Sequence, residues 1–352
     1  ISALYLDNGY LFFNANPIEV SIKDTVIDLE VRIYEGEQAT YNKIIVKGNT
    51  KTNDHVILRE IRTYPGEKFS RSDLIRTQRE LAALGYFDAA QIGINPIPNP
   101  ATGTVDIEYT LVEKPNDQLQ LSGGWGGASG FVGTLGLSFN NFSLKNIAKP
   151  KTWDPLPGGD GQRLSLRFQA NFNYISYSIS FTEPWLGGRK PNSLTVSYSH
   201  SRQKIERSGN NNGLLKIDAL TVSLGRRLKW PDNWFTLINS FSLTQYDERN
   251  YSSVTDDGIS NNFKFNTTLA RNNIGTNPNF PTHGGRMSLS LDLTPPYSLF
   301  NGGENLKANG QNWVEFHKWM LDFSQFMQLT NLEKDKNSLF TQQKQKRSFV
   351  LV

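Results

Sequence analysis

The sequence contains no cysteine. Thiolate metal sites, cysteine nucleophiles and disulfides are therefore excluded. Long hydrophobic runs are missing as well: no stretch approaches the ~18–20 continuous apolar residues of a transmembrane helix. Hydrophobic residues make up 37% of the 352 positions, and the mean hydropathy is −0.47. Such a chain either stays out of the membrane or crosses it in a way that hydropathy does not register. An excess of one charge is lacking too. The formal net charge is +4, whereas a nucleic-acid footprint needs a denser basic face, so no nucleic-acid partner is expected. Finally, the chain opens at Ile1 without Met, a basic n-region or an apolar h-region. No signal peptide is read, and the start reads as the interior of something longer.

Aromatics and glycine are plentiful, with 21 Phe, 13 Tyr, 7 Trp and 29 Gly, a mixture that suits strands better than helices. The chain also repeats itself. "LYLDNGYL" (4–11) is echoed by "LAALGYF" (81–87), and each is followed by a strand-like stretch, "VIDLEVRIYEGE" (26–37) and "VDIEYTLVEKP" (105–115). Gly9 aligns with Gly85 and Asp28 with Asp106, offsets of 76 and 78 residues. The difference is assigned to a turn, "PIPNPATGT" (96–104), where Pro and Gly set a chain reversal. A period this long reads as tandem copies of a small domain rather than a common solenoid.

The complete copy begins with a strand, "YNKIIVKGN" (41–49), ending in a Gly-Asn turn. A helix over 52–61 follows, placing Val56, Ile57 and Ile61 on one face. A second helix starts at Ser70 and Asp73 with capping-box-like chemistry. Its apolar stripe is Leu74, Ile75, Leu81 and Leu84, and Gly85 suits the left-handed position after its end. Strands are expected around 89–95 and 104–112. The order β-α-α-β-β makes a small α+β domain.

From Gln118 onward the periodicity changes from helical to two. In "RLSLRFQANF" (163–172), Leu164, Leu166, Phe168, Ala170 and Phe172 fall on one face, with Ser165, Arg167, Gln169 and Asn171 on the other. Eleven strands are expected, at 118–127, 130–142, 162–173, 175–184, 192–203, 214–229, 234–249, 260–272, 284–294, 311–329 and 346–352. Alternation alone also fits a soluble β-protein. Three features favour a membrane barrel. The strands reach the ~9–11 residues of a tilted crossing, they follow one another as a meander, and aromatics crowd their ends: Phe142, Trp185, Trp230, Trp234, Tyr251, Phe280 and Trp313.

With repeat and barrel both in view, the chain resembles the BamA family, outer-membrane insertases built from periplasmic POTRA domains and a sixteen-stranded barrel. The resemblance is carried by "IIVKGNTKTNDHVILREIRTYPGEKFSRSDLIRTQRELAALGYF", with Gly48, Gly66, Gly85, Tyr86 and Phe87 as its motif positions, by "FTEPWLGG" (181–188), and by "RNNIGTNPNFPTHGGRMSLSL" (271–291). It implies the back half of a POTRA domain over 1–37, a complete POTRA domain over 38–115 and an incomplete outer-membrane β-barrel over 116–352. About eleven of sixteen strands are present. The family's Arg-Gly-Phe-type lumen loop and C-terminal aromatic strand are absent, and the chain stops in "SFVLV". Two expected periplasmic turns, 143–161 and 331–345, are unusually long, which suggests partner binding or a slip in strand parity.

No enzyme constellation is found. His55, His200, His283 and His317 lie on different elements, and "GGWGGASG" (123–130) precedes a strand rather than a helix, so it is not a phosphate loop. No catalytic, cofactor or metal residue is assigned. The Gly-rich stretch has two readings. It is a tight hairpin, or it belongs to a weak first strand. Gly-rich strands pair poorly, and a barrel's first strand must pair with its last to remove both edges. A weak seam can open and offer its backbone to an incoming strand. By resemblance this lateral-gate strand is Gln118, Leu119, Gln120, Leu121, Ser122, Gly123, Gly124, Trp125 and Gly126. The implied partners are unfolded outer-membrane barrel proteins, accessory assembly lipoproteins and outer-membrane lipid. Two alternatives stay open: a POTRA-bearing transporter secreting one partner protein, and a porin-like channel with an appended binding domain.

Overall fold

The computed structural model describes residues 2–23, 26–127, 130–154, 156–205, 212–251, 257–274, 284–296, 311–313, 315–327 and 349–351. The chain falls into two compact units, one formed by residues 1–118 with 139–162 and the other by 119–138 with 163–352.

The first unit opens with helix α1 (Ser2–Asp7) and a hairpin of β1 (Asn14–Lys23) and β2 (Val26–Tyr34). The complete copy follows as β3 (Thr40–Lys47), α2 (Asp54–Leu58), α3 (Arg71–Ala83), β4 (Gly93–Asn99) and β5 (Thr104–Thr110). Its sheet order is β3-β5-β4, with β5 parallel to β3 and antiparallel to β4. Strand β5 is central, and Val105, Ile107 and Tyr109 alternate inward to a core with Tyr41, Val56, Ile57, Ile61, Leu81 and Phe87. Helix α3 is capped by Ser70, whose hydroxyl accepts from the Asp73 N–H at 3.2 Å. Asp7 of the preceding copy reaches the same helix start and accepts from the Ser72 N–H and hydroxyl, both at 2.7 Å. These bonds from Ser72 hold the Asp7 carboxyl below its ordinary range.

Several expectations need correction here. The inward stripe of α3 is Leu74, Thr77 and Leu81, while Ile75 is exposed. The helix expected over 52–61 is short, and Ile61 packs into the core from beyond its end. The strand expected at 89–95 is β4 at Gly93–Asn99, preceded by a single 3-10 turn at Ala89–Gln91. "PIPNP" is thus mostly strand, not turn. Pro96 and Pro98 are tolerated because β4 is an edge strand. Gly93, Asn95, Ile97 and Asn99 lie opposite Thr110, Glu108, Asp106 and Thr104. Those β5 residues face β4, because the Leu111 N–H is already spent on the Lys47 carbonyl of β3. Ile94, Pro96 and Pro98 therefore turn their backbones outward, where a missing N–H costs no ladder bond.

The second unit is one antiparallel meander. Its strands are β6 (Gln118–Trp125), β7 (Phe131–Phe142), β8 (Gln162–Ala170), β9 (Tyr174–Glu183), β10 (Asn192–Ile205), β11 (Gly213–Arg227), β12 (Phe235–Arg249), β13 (Gly258–Asn272), β14 (Gly284–Leu293), β15 (Gln311–Trp313), β16 (His317–Met327) and β17 (Phe349–Leu351). They pair in chain order from β6 to β17, except that β15 lies parallel beside β13. The single strand expected at 311–329 is thus two. Registers align like faces: Phe168, Tyr177, His200 and Asp218 share one face, and Val196, Val222, Phe241 and Phe265 continue it. The opposite face carries Ser165, Ser180, Ser197, Thr221, Ser242 and Lys264. A sheet largely apolar on one side and polar on the other fits the wall of a membrane barrel, as it fits a soluble sheet. Among the described residues no helix is long and apolar enough to cross a membrane. Of the expected terminal aromatics, Trp230 and Trp234 are exposed, but Phe142 is buried in the first unit and is no interfacial residue. Phe280, His283 and the turn 331–345 lie outside the described residues.

Candidate functional site: a polar clasp and a glycine-bearing strand

The long turn 143–161 folds back onto the complete copy in the first unit. The contact is made of polar groups with small residues between them. Asn53, just before α2, donates its N–H to the Gly159 carbonyl at 3.0 Å and its side-chain amide to Asp160 Oδ1 at 2.8 Å. Ser143 donates to Asp160 Oδ2 at 2.7 Å. Asn141 joins both partners, its amide donating to Thr52 Oγ1 and its Oδ1 accepting from the Gly161 N–H, each at 2.9 Å. The Tyr86 hydroxyl donates to the Gly161 carbonyl at 3.2 Å. Thr52, Asn141, Ser143 and Asp160 are all buried, so each would carry a desolvation penalty if left unpaired.

Two glycines permit the close approach. A Cβ on Gly159 would stand 2.8 Å from the Lys51 carbonyl, and one on Gly161 would stand 2.6 Å from Arg59 Nη2 and 2.9 Å from Val56 Cγ1. Both also have positive φ, +115° and +70°. The side of the clasp on the complete copy is set by Glu113. It accepts from the Thr50 N–H and hydroxyl, the Lys51 N–H and the Thr52 N–H at 2.7–3.1 Å. Burial works to raise the Glu113 pKa, but bonds from Thr50, Thr52 and Lys51 outweigh it and hold the carboxyl below its ordinary range. A cleft of about 750 Å³ lies beside this loop, lined by Lys51, Glu113, Asp117, Asn141 and Phe142 among others.

The expected motif glycines do not form one site. Gly48, Gly66 and Gly85 occupy three separate left-handed turns with φ of +91°, +90° and +76°. Gly48 is the tightest, since a Cβ there would meet the Leu111 carbonyl at 1.9 Å. Phe87 is core, and Tyr86 serves the clasp.

Strand β6 carries the expected gate residues Gln118 to Trp125, and every one of them is exposed. It stands at one end of the strand order, with β7 as its neighbour. Gly126 falls outside the strand, in the turn, where its N–H meets the Gly130 carbonyl at 2.8 Å. Gly124 faces open space. Over Gly123 lies the ring of Phe131, whose Cζ would stand 3.0 Å from an added Cβ. The aromatic covers the gap that glycine leaves, a cross-strand compensation known for glycines in sheets.

Sequence reasoning missed Asn141, Ser143, Asp160 and Gly161. The available signal was "GGDG" (158–161) in a turn too long for its place. Gly, Asp and Asn mark a turn in any case, and nothing local says that the turn docks.

Comparison with known proteins agrees with both units. The POTRA model, described as surface antigen variable number repeat, matches residues 39–114, and the Omp85 superfamily domain model matches 158–345. The outer membrane protein assembly factor BamA of Neisseria meningitidis serogroup B is 25% identical over 230 residues, covering 65% of this chain and 25% of the relative. BamA of Nitratidesulfovibrio vulgaris is 31% identical over 186 residues, covering 52% of this chain and 21% of the relative. The chain thus spans a quarter or less of these curated relatives. Among solved structures, BamA of Haemophilus ducreyi lacking POTRA domains 1–3 superposes with a TM-score of 0.65 at 20% identity, over 94% of this chain and 60% of that one. CdiB from Escherichia coli superposes with a TM-score of 0.53 at 14% identity, over 93% and 57%. At these identities the structures establish the fold alone. Fold and matches together define a POTRA-bearing antiparallel barrel protein of the outer membrane, its POTRA domain on the periplasmic side. The chain belongs to the Omp85 superfamily.

Proposed function

We propose that this chain is part of the central component of an outer-membrane barrel assembly machinery, which folds and inserts barrel proteins by templating them on β6. The observation that carries the reading is the pair of consecutive glycines in β6, Gly123 and Gly124, the first covered by the Phe131 ring and the second with nothing beside it among the described residues. Such a strand pairs weakly with whatever closes the barrel. In hydrocarbon each unpaired backbone group costs several kcal/mol, so an incoming strand has strong reason to accept the ladder that β6 offers. The energy comes from client folding; no bond is made or broken, and no cofactor is required. Unfolded barrel proteins are the clients, with accessory lipoproteins and outer-membrane lipid as further partners. The BamA names of the sequence relatives support this. The clasp ties the POTRA copy to the turn between β7 and β8.

A second reading is a transporter that secretes one partner protein through the barrel, and the fold likeness to CdiB supports it. Depletion of the full-length protein followed by outer-membrane proteomics separates the two. A joint fall of many unrelated barrel proteins, with lipoproteins spared at early times, is the expected result. An unchanged outer membrane with the loss of one secreted protein establishes the transporter instead.

A further inference from the structure

The apolar face of β9–β13 ends in a charged band. Because the registers are regular, its rows can be read across the strands. Tyr198, Leu220, Leu243 and Phe263 form the last largely apolar row. The next is His200, Asp218, Gln245 and Asn261, and above it stand Arg202, Lys216 and Asp247, then Lys204 and Arg249 flanking Leu214. The meander begins at the POTRA side with β6, so the end of β10 and the start of β11 are extracellular. The band therefore sits at the outer-leaflet edge of the lipid-facing surface.

Its charges do not balance. Asp218 is engaged below, accepting from the Tyr198 hydroxyl at 2.7 Å and facing His200 Nδ1 at 2.8 Å, with Tyr177 stacked on the His200 ring. Among the described residues Asp247 alone serves the upper rows, paired with Lys216 at 3.3 Å and with Arg249 at 3.1 Å. Arg202 stands directly opposite Lys216, a like-charge pair that destabilises a sheet unless an anion lies between. Arg202 Nε is buried and makes no hydrogen bond among the described residues, and Lys204 has no ion pair among them. Among the described residues these four cations thus share one carboxylate, directly above an apolar wall suited to acyl chains.

We infer that Arg202, Lys204, Lys216 and Arg249 form a binding site for the phosphate headgroup of an anionic lipid in the outer leaflet, its acyl chains lying on Tyr198, Leu220 and Leu243. Membrane cations near a headgroup each favour anionic lipid by about fivefold. The test uses full-length protein in phosphatidylcholine vesicles carrying chain-spin-labelled phosphatidic acid or chain-spin-labelled phosphatidylcholine, reading the motionally restricted fraction. The expected result is a preference for phosphatidic acid of about fivefold or more, weakened by salt. Arg202→Gln with Lys216→Gln abolishes that preference, whereas Lys264→Gln on the polar face leaves it intact. Should the double variant fail to fold, by loss of heat-resistant mobility, Arg202→Gln alone is read in the same way. Equal restriction of the two lipids by the unmodified protein overturns the site. So does full preference in the double or single variant, an equal loss in Lys264→Gln, or complete displacement of the lipid by inorganic phosphate.

Discussion

Strands β5 and β6 are 7 and 8 residues long and nearly adjacent in sequence, yet they meet opposite fates. β5 is clamped between β3 and β4, and Val105, Ile107 and Tyr109 are wholly buried. Among the described residues β6 has one strand neighbour, and none of its own residues is buried. Both have alternating apolar positions at their start. What separates them is the company each keeps: β5 is covered by two ladders and two helices, whereas β6 has no helix against it and one described ladder. A strand's stability is set by its neighbours more than by its letters.

The strongest way to sharpen this contrast is to empty the buried strand. Ile107→Ala is expected to destabilise the POTRA copy by about 2–5 kcal/mol, seen as a lowered denaturation midpoint for that domain. Next is the clasp. Asp160→Ala strands the buried Ser143 hydroxyl, a cost of about 1–3 kcal/mol, and takes the carboxylate partner from the Asn53 amide. The expected readout is faster proteolysis of the turn 143–161, with the β5 core still protected. Third, Gly123→Val makes β6 more like β5. It gains up to about 1 kcal/mol of strand preference, set against displacement of the Phe131 ring. Insertion of client barrels in reconstituted vesicles should slow; an unchanged rate would detach the weak strand from the activity. The smallest effect is that of acid. The Glu113 pKa is depressed in the folded state, so its contribution is complete above the ordinary value of 4.5 and is lost as pH falls below that. Amide exchange of Lys51 and Thr52 should rise in that acid range, and Glu113→Gln should make it high at neutral pH as well.

The repeat, the change of period at Gln118 and most strand positions were legible because each rests on local pattern. Ser70, Asp73 and Gly85 announce the ends of α3 in the sequence itself. The errors fall where a distant partner decides. Pro96 and Pro98 read as turn because an edge strand is known as such only once its sheet is assembled. Ile75 read as core because a helical stripe does not say how wide its cover is. Phe142 read as membrane aromatic, Asn141 as an ordinary strand residue and Asp160 as a mere turn residue; the partners of the last two, Thr52 and Asn53, lie about ninety and one hundred residues earlier. The charged rows above Tyr198 were likewise invisible until registers placed Arg202 opposite Lys216.

The two prolines of β4 have a kinetic consequence. An extended segment laid along that outer edge would find the N–H of Ile94 but none at Pro96 or Pro98, so it could form only part of a ladder there. In a protein proposed to hand strands to β6, a sticky edge on the POTRA copy would act as a sink, holding segments that ought to move on. Removing two donors makes β4 a poor template for any added strand.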